Sequence, residues 1–224
     1  MARVDLNVPF AEKDQAKSLG ARWDSLAKVW YVPSGVNAEL FACWLPSANG
    51  SDPEHEPEFG IRSPHYFVLE SATDCWKCSR LTRVFSFMLP EQHEQFEYAQ
   101  DDDEDFALTS NPGYWVCHGY RGTMSSLHGL SRPVINQLRL HTECYKPAYS
   151  KTAGVTYYMN HCEHCAAKLG DFYMHSEPGG AFFPTSPTEA SGMILHEVNE
   201  RFDANGGVGY TTDDFMGYMQ REGG

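Results

Sequence analysis

The sequence predicts an α+β protein in two parts, a small amino-terminal module followed by a larger domain held together by a metal ion. Three observations predict it. Two Cys-x-x-Cys pairs, Cys75-Trp-Lys-Cys78 and Cys162-Glu-His-Cys165, supply four thiols in the spacing of a closed tetrahedral site. Short strand-like alternations within residues 4–32 are interrupted by helix formers and turn residues. Residues 47–63, rich in Pro, Ser, Gly and acid, read as a linker between that module and the cysteine-bearing part.

Composition narrows the classes. The 224 residues are 42% hydrophobic and 13% aromatic, enough for a medium domain with its own core beside a small one. No apolar run reaches the roughly 18 residues of a membrane span. The start, Met1-Ala2-Arg3-Val4-Asp5, lacks the apolar stretch of a secretory signal, so no membrane association and a cytoplasmic location are expected. Seven cysteines are an odd number, which fits reduced thiols and a metal better than a disulfide framework. The formal charge of −13 excludes a surface built for indiscriminate nucleic-acid binding. That charge is uneven. Glu91, Glu94, Glu97, Asp101, Asp102, Asp103, Glu104 and Asp105 fall within residues 91–106 with no Lys or Arg, the pattern of a solvated acidic loop. Over residues 107–160, Arg121, Arg132, Arg139, Lys146 and Lys151 face the single acid Glu143.

The module, residues 1–46, has the order β-α-β-β-α. Val4 to Val8 alternates apolar and polar residues and stops at Pro9. Glu12 to Leu19 is made of helix formers, and Gly20 sits where a left-handed cap ends such a helix. Residues 21–24 and 29–32 flank a polar turn and form an aromatic hairpin that ends at Pro33-Ser34-Gly35. Asn37 then caps a last helix with Leu40, Phe41 and Trp44 on one face. Arg22, Trp23, Lys28, Trp30 and Tyr31, with Lys17 nearby, interleave cations with aromatics as a single-strand binding surface would. The competing reading places Trp23, Trp30 and Trp44 in the core, since about forty residues make a minimal one. Acids and bases balance within the module, so tight general DNA binding is not expected of it.

The words Leu6-Asn7-Val8-Pro9-Phe10, Glu12-Lys13-Asp14, Ala16-Lys17, Leu19-Gly20-Ala21-Arg22-Trp23-Asp24 and Lys28-x-Trp30-Tyr31-Val32-Pro33 carry a resemblance. This stretch resembles a small uncharacterised domain attached to conjugative-plasmid primases and related mobile-element proteins. The resemblance implies a nucleic-acid accessory role by association, and no catalytic residue is carried over with it.

Residues 64–205 form the expected zinc-binding domain. An apolar strand from His65 to Glu70 leads into Cys75, and residues 81–89 make the returning strand, so the first pair sits on a knuckle. Residues 154–159 lead as a strand into the second pair, which runs into Ala166 to Leu169, read as a short helix ended by Gly170. One knuckle and one helix start suggest a treble-clef-like site over a two-knuckle ribbon within this treble-clef/zinc-ribbon-like domain, with Cys75, Cys78, Cys162 and Cys165 holding one structural zinc ion. Residues 79–161 between the pairs are long for such a module and are read as an insertion bearing the acidic run near 91–106. The phrasing around the second pair is similar to bacterial zinc-binding proteins of unknown function. Ser186-Pro187-Thr188-Glu189 has the form of a capping box, and a helix is expected from Pro187 through Met193, Ile194, Val198 and Phe202. Residues 206–224 are glycine-rich and expected to fray.

His161 and His164 compete as ligands, and Cys117, His118, His141 and Cys144 offer a second metal constellation that the spacing leaves open. No phosphate-binding loop, nucleophile elbow or His-Glu-x-x-His motif is present. The function these features point to is a non-enzymatic, zinc-stabilised accessory protein that binds nucleic acid or a DNA-processing partner. One alternative is an acidic interaction or inhibitor protein acting on a basic partner. Another is a metal-dependent hydrolase assembled from His118, His128, His141, His175 and His196 without a local motif.

Overall fold

The computed structural model describes residues 3–6, 8, 13–25, 29–45, 57–98, 113–210 and 215–222. The chain divides into two compact units, one of residues 1–57 with 96–118 and the other of residues 58–95 with 119–224.

The first unit begins with β1 (Val4–Leu6), α1 (Lys13–Ser18), β2 (Arg22–Asp24) and β3 (Val29–Val32). The strands form an antiparallel sheet in the order β1-β3-β2. Gly20 stops α1 with φ +104°, a conformation open to glycine at little cost. The chain then turns inward, and the amide of Ala21 donates to the carbonyl of Ala16 at 3.0 Å. The last expected helix is a 3₁₀ stretch, Ala38–Trp44, with a kink at Phe41. Leu6, Ala16, Ala21, Val32, Phe41 and Trp44 make the buried core.

The second unit opens with β4 (Ile61–Ser63), β5 (Tyr66–Asp74) and β6 (Leu81–Leu89), and β7 (His93–Glu97) leads out of it. In the first unit, β8 (Tyr114–His118) follows, with Trp115 meeting Phe96 edge-on at 5.4 Å. The second unit resumes with β9 (Gly122–Leu130), α2 (Arg132–Arg139), β10 (Tyr145–Ser150), β11 (Val155–His161), β12 (Lys168–Leu169), α3 (Asp171–His175), α4 (Pro187–Ala190), β13 (Ile194–Val198), β14 (Phe202–Gly209) and β15 (Gln220–Glu222). Its main sheet runs in the order β15-β13-β5-β6-β9-β14-β4-β7, and β10-β11-β12 make a second sheet.

Both faces of the main sheet are covered, which is why residues 84–89 are buried without a break and, Ser86 apart, apolar. On one face Tyr66, Val68, Phe85, Phe87 and Phe202 pack with Val134 and Leu138 of α2 and with Tyr145 of β10. On the other, Phe67, Leu69, Val84 and Leu195 pack with Met174, Phe182, Met193 and the cysteine-bearing turns.

The fold class is α+β, as the sequence predicts, with four cysteines gathered into one cluster. Several elements differ from expectation. Residues 166–169 are not a helix: Ala166 is left-handed at φ 55°, and Lys168–Leu169 pairs with β11. Half of the capping box forms, since the Ser186 side chain accepts the amide of Glu189 while the Glu189 carboxylate accepts the amide of Thr185, but the helix ends at Ala190 and residues 194–209 form two strands. Residues 79–161, read as an insertion, supply strands to the centre of the main sheet as well as α2 and the β10–β11 hairpin. Ile61–Ser63, within the expected linker, pairs with β14. The expected fraying tail contains the end of β14 and β15, which pairs in parallel with β13. Of the acidic run, residues 93–97 form β7 and residues 99–112 lie outside the described residues.

Candidate metal centre

Cys75 and Cys78 sit at the tip of the β5–β6 hairpin, and Cys162 and Cys165 follow β11. The two turns are built alike. The amide of Ser79 donates to the carbonyl of Cys75 at 2.8 Å, and the amide of Cys75 to the carbonyl of Arg80 at 3.0 Å. In the second turn Ala166 donates to Cys162 and Cys162 to Ala167, each at 2.9 Å. Ser79 and Ala166 both take left-handed backbone, φ 55°. The site is therefore a pair of equivalent knuckles, the ribbon-like form and not the treble-clef-like one expected from a helix after the second pair.

The four sulfurs lie within 4.8 Å of one another. The Sγ atoms of Cys75 and Cys165, and those of Cys78 and Cys162, are 3.7 Å apart. A disulfide would need about 2.05 Å. A tetrahedron of thiolates bonded to an ion at about 2.3 Å has edges near 3.8 Å, so the spacing fits a shared metal. Cys75 and Cys162 are 1% and 2% exposed, and such burial of thiols favours a closed site. The Cys162 thiol is pulled down to about 6. Burial opposes its ionisation, but the backbone amides of His164 and Cys165 and the neighbouring thiols outweigh that. Cys165 moves the other way, to about 11: the Ala167 amide pulls it down, but burial and the three other sulfurs push harder against a second charge.

Each knuckle also grips the strand that leaves the other. The Trp76 indole N–H donates to the carbonyl of Lys168 at 2.9 Å. Reciprocally, His164 Nε2 bonds the carbonyl of Leu81 at 2.8 Å, the amide of Glu163 donates to Thr82 Oγ1 at 3.0 Å, and Arg83 donates to the Glu163 carboxylate at 2.8 and 3.0 Å. Leu81 and Lys168 occupy the same position, the third residue beyond the second cysteine of their respective pairs.

The competing ligands are engaged elsewhere. His161 Nδ1 faces the carbonyls of Met159 and Cys144 at 3.0 and 3.2 Å, and His164 faces Leu81; carbonyls only accept, so both nitrogens carry their protons. Among the described residues, the four cysteines are the single group of three or more His, Cys, Asp or Glu close enough to share an ion. Cys117 and His118 lie on β8 of the first unit, and His141 and Cys144 belong to the second. Of the other histidines, His141 stacks on His196 at 4.2 Å, and His196 Nε2 meets Glu70 at 3.0 Å.

The nucleic-acid candidates fall on both faces of the amino-terminal sheet. Trp23 pairs with Trp30 across β2 and β3, and Arg22 pairs with Tyr31, so strand alternation sends the two pairs to opposite sides. Trp23 is 51% exposed at the edge and its ring lies 5.6 Å from that of Trp30. Trp44 alone of the three tryptophans is fully in the core. Arg22 is exposed on the edge strand, and Lys17 is exposed in the last turn of α1. One face of Tyr31 is covered by the Arg3 guanidinium at 4.4 Å. Lys28 lies outside the described residues. Among the described residues, no helix is long and apolar enough to cross a membrane.

Spacing did not disclose one feature of the second unit, a cleft walled by Trp76, Lys168, Phe172 and Tyr173 with Asp171 inside it. The signal was present in the stretch Gly170 to His175, where two adjacent aromatics, Phe172 and Tyr173, follow a lone acid.

Fold and site together define an α+β protein whose second unit gathers four cysteines into a cluster that could hold a metal ion. Residues 3–46 match the family described as Domain of unknown function (DUF5710). The same stretch is similar to two proteins of Escherichia coli, each named DNA primase TraC, at 60% identity over 42 residues and 58% over 46. These matches take in 19% and 20% of this chain but only 4% and 3% of the primases. No solved structure matches the chain.

Proposed function

We propose that the protein is a zinc-stabilised, non-enzymatic accessory factor of mobile-element DNA processing in the cytoplasm, whose amino-terminal module contacts nucleic acid along the edge of β2. The observation that carries this reading is Trp23, 51% exposed on a module shared with DNA primases. A large aromatic left half in water at a sheet edge offers a stacking face, and Arg22, exposed on the other side of the same edge strand, offers a phosphate contact to a strand that wraps that edge. Trp30 backs the Trp23 ring, and Lys17, Lys28 and Tyr31 are the other candidates that the sequence offers. Zinc is the ion that four clustered thiolates in two short turns select, two of them buried, since soft sulfur donors and closed tetrahedral geometry disfavour hard cations.

Labelled single-stranded and double-stranded oligonucleotides, titrated at low salt, test the nucleic-acid reading. Single-strand binding should weaken with salt and by about tenfold in Trp23→Ala. Absence of binding at low salt, or affinity unchanged in Trp23→Ala and Arg22→Ala, removes it.

A further inference from the structure

In the second unit a cleft of about 1120 Å³ opens between the turn of the β10–β11 hairpin, the first knuckle and α3. Asp171, the first residue of α3, is 5% exposed. Its Oδ2 accepts the amide of Ser126 at 2.7 Å, whereas its buried Oδ1 has no hydrogen-bond partner. Buried polar atoms are rarely left so, and this one belongs to a residue that lines the cleft. His175, one helical turn on, also has a buried ring nitrogen without a partner, and its ring lies against Phe182 at 4.8 Å. Ser126, which holds the acid in place, has left-handed backbone at φ 50°, the kind of local strain that collects at binding sites.

The walls are flat and apolar. Trp76, Phe172 and Tyr173 are 73%, 63% and 75% exposed, an unusual concentration of large aromatics in water. Trp76 is fixed by its bond to Lys168, whose ammonium in turn donates to the carbonyl of Tyr149 at 2.9 Å and brings a cation to the cleft. Among the described residues no second group of three or more metal-binding side chains lies close enough to share an ion, in the cleft or elsewhere.

The geometry points to a nucleobase-binding cleft, in which the Asp171 carboxylate accepts an N–H from the base edge, the rings of Trp76 and Tyr173 flank its faces, and Lys168 meets the attached phosphate. Adenine, cytosine and guanine each carry an exocyclic amino group that a carboxylate can accept from. In uracil the one edge N–H lies between two carbonyl oxygens that repel it. The volume exceeds that of a base alone and leaves room for sugar and phosphate. The base belongs either to a free nucleotide or to a single strand. This cleft is independent of the β2 edge and stands whether or not that edge touches nucleic acid.

Equilibrium dialysis of the full-length protein at pH 7.5 tests it, using adenosine, cytidine, guanosine and uridine 5′-monophosphates in one arm and short single-stranded oligonucleotides in the other. At least one amino-bearing nucleotide, or an oligonucleotide containing it, should bind about tenfold more tightly than its uridine counterpart. Asp171→Asn can keep the Ser126 bond while turning the free acceptor into a donor, and it should weaken binding about tenfold or more. Tyr173→Ala, at a ring three-quarters exposed, tests the stacking wall without disturbing the core and should weaken binding by a similar factor. Mononucleotide binding lost in these variants assigns the free nucleotide as ligand, and oligonucleotide binding alone, lost in the same variants, assigns the strand. Trp23→Ala should leave mononucleotide binding unchanged, and the oligonucleotide arm is run in the Trp23→Ala background, which separates the cleft from the amino-terminal edge. The proposal is overturned if neither arm binds, or if binding survives both Asp171→Asn and Tyr173→Ala.

Discussion

Asn160 directs its side-chain amide wholly at Phe85: Oδ1 accepts the Phe85 amide at 2.7 Å, and Nδ2 donates to the Phe85 carbonyl at 2.9 Å. One side chain thus takes the place of a strand partner for β6, and it joins the small sheet to the large one where Asn160 is 1% exposed. Replacing it with alanine strands a buried donor and acceptor of the main chain. Asn160→Ala should lower stability by about 2–4 kcal/mol in urea unfolding, well beyond the effect of a surface substitution.

The metal centre should prove to be part of the fold. Cys75→Ser or Cys162→Ser should release the ion and lower the melting temperature, since the binding free energy of such sites is on the order of 10 kcal/mol and is expressed as folding. Metal content and melting, measured together before and after chelation, check this. One ion per chain retained after either change would refute a four-thiolate site.

Ser79 and Ala166 hold the same left-handed conformation, each one residue beyond its knuckle. A side chain there costs about 1 kcal/mol relative to glycine. Ser79→Gly and Ala166→Gly should each stabilise the loaded protein by a few tenths to about 1 kcal/mol, less the backbone entropy that glycine brings to the unfolded chain. Thermal melts of the two single variants should move upward by similar amounts.

Asp171 and His175 load the fold in opposite senses. Burial raises the Asp171 carboxyl to about 6, so its contribution is present below about pH 4 and lost as pH rises through 6. Burial lowers His175 to about 4, so its contribution is present above about pH 6.5 and lost as pH falls through 4. Each shift is worth on the order of 3 kcal/mol, and the two slopes nearly cancel between pH 4 and 6.5. Asp171→Asn should unmask the histidine and make stability rise with pH across that window relative to the wild type. His175→Phe should make it fall. Urea midpoints at half-unit pH steps read both.

These predictions mark where the chain disclosed itself. The four cysteines were legible because a knuckle is local: both ligands and the turn that aims them lie within a few residues. The amino-terminal module was legible for the same reason, with Gly20 and Pro33-Ser34-Gly35 punctuating short elements. The failures have physical causes. Met193, Ile194 and Val198 are spaced for a helix face or for a buried strand, and the break at Gly192 decides for the strand. Ala166 to Leu169 are helix formers by type, but the bond from the Cys162 amide to the Ala167 carbonyl closes the knuckle and opens the way to β12. The place of residues 79–161 in the main sheet depends on pairing distant strands, as in β9 with β14, and no local pattern encodes that. The tie between Asp171 and Ser126 is equally remote in sequence.

The reciprocal grip of the knuckles has a temporal consequence. Either turn by itself presents two sulfurs, and a tetrahedral ion needs four. Synthesis delivers Cys75 and Cys78 long before Cys162 and Cys165, and most of the central strands emerge in the interval. Tight capture of the ion therefore waits until the chain has returned on itself, and a loaded centre certifies that the two turns have met.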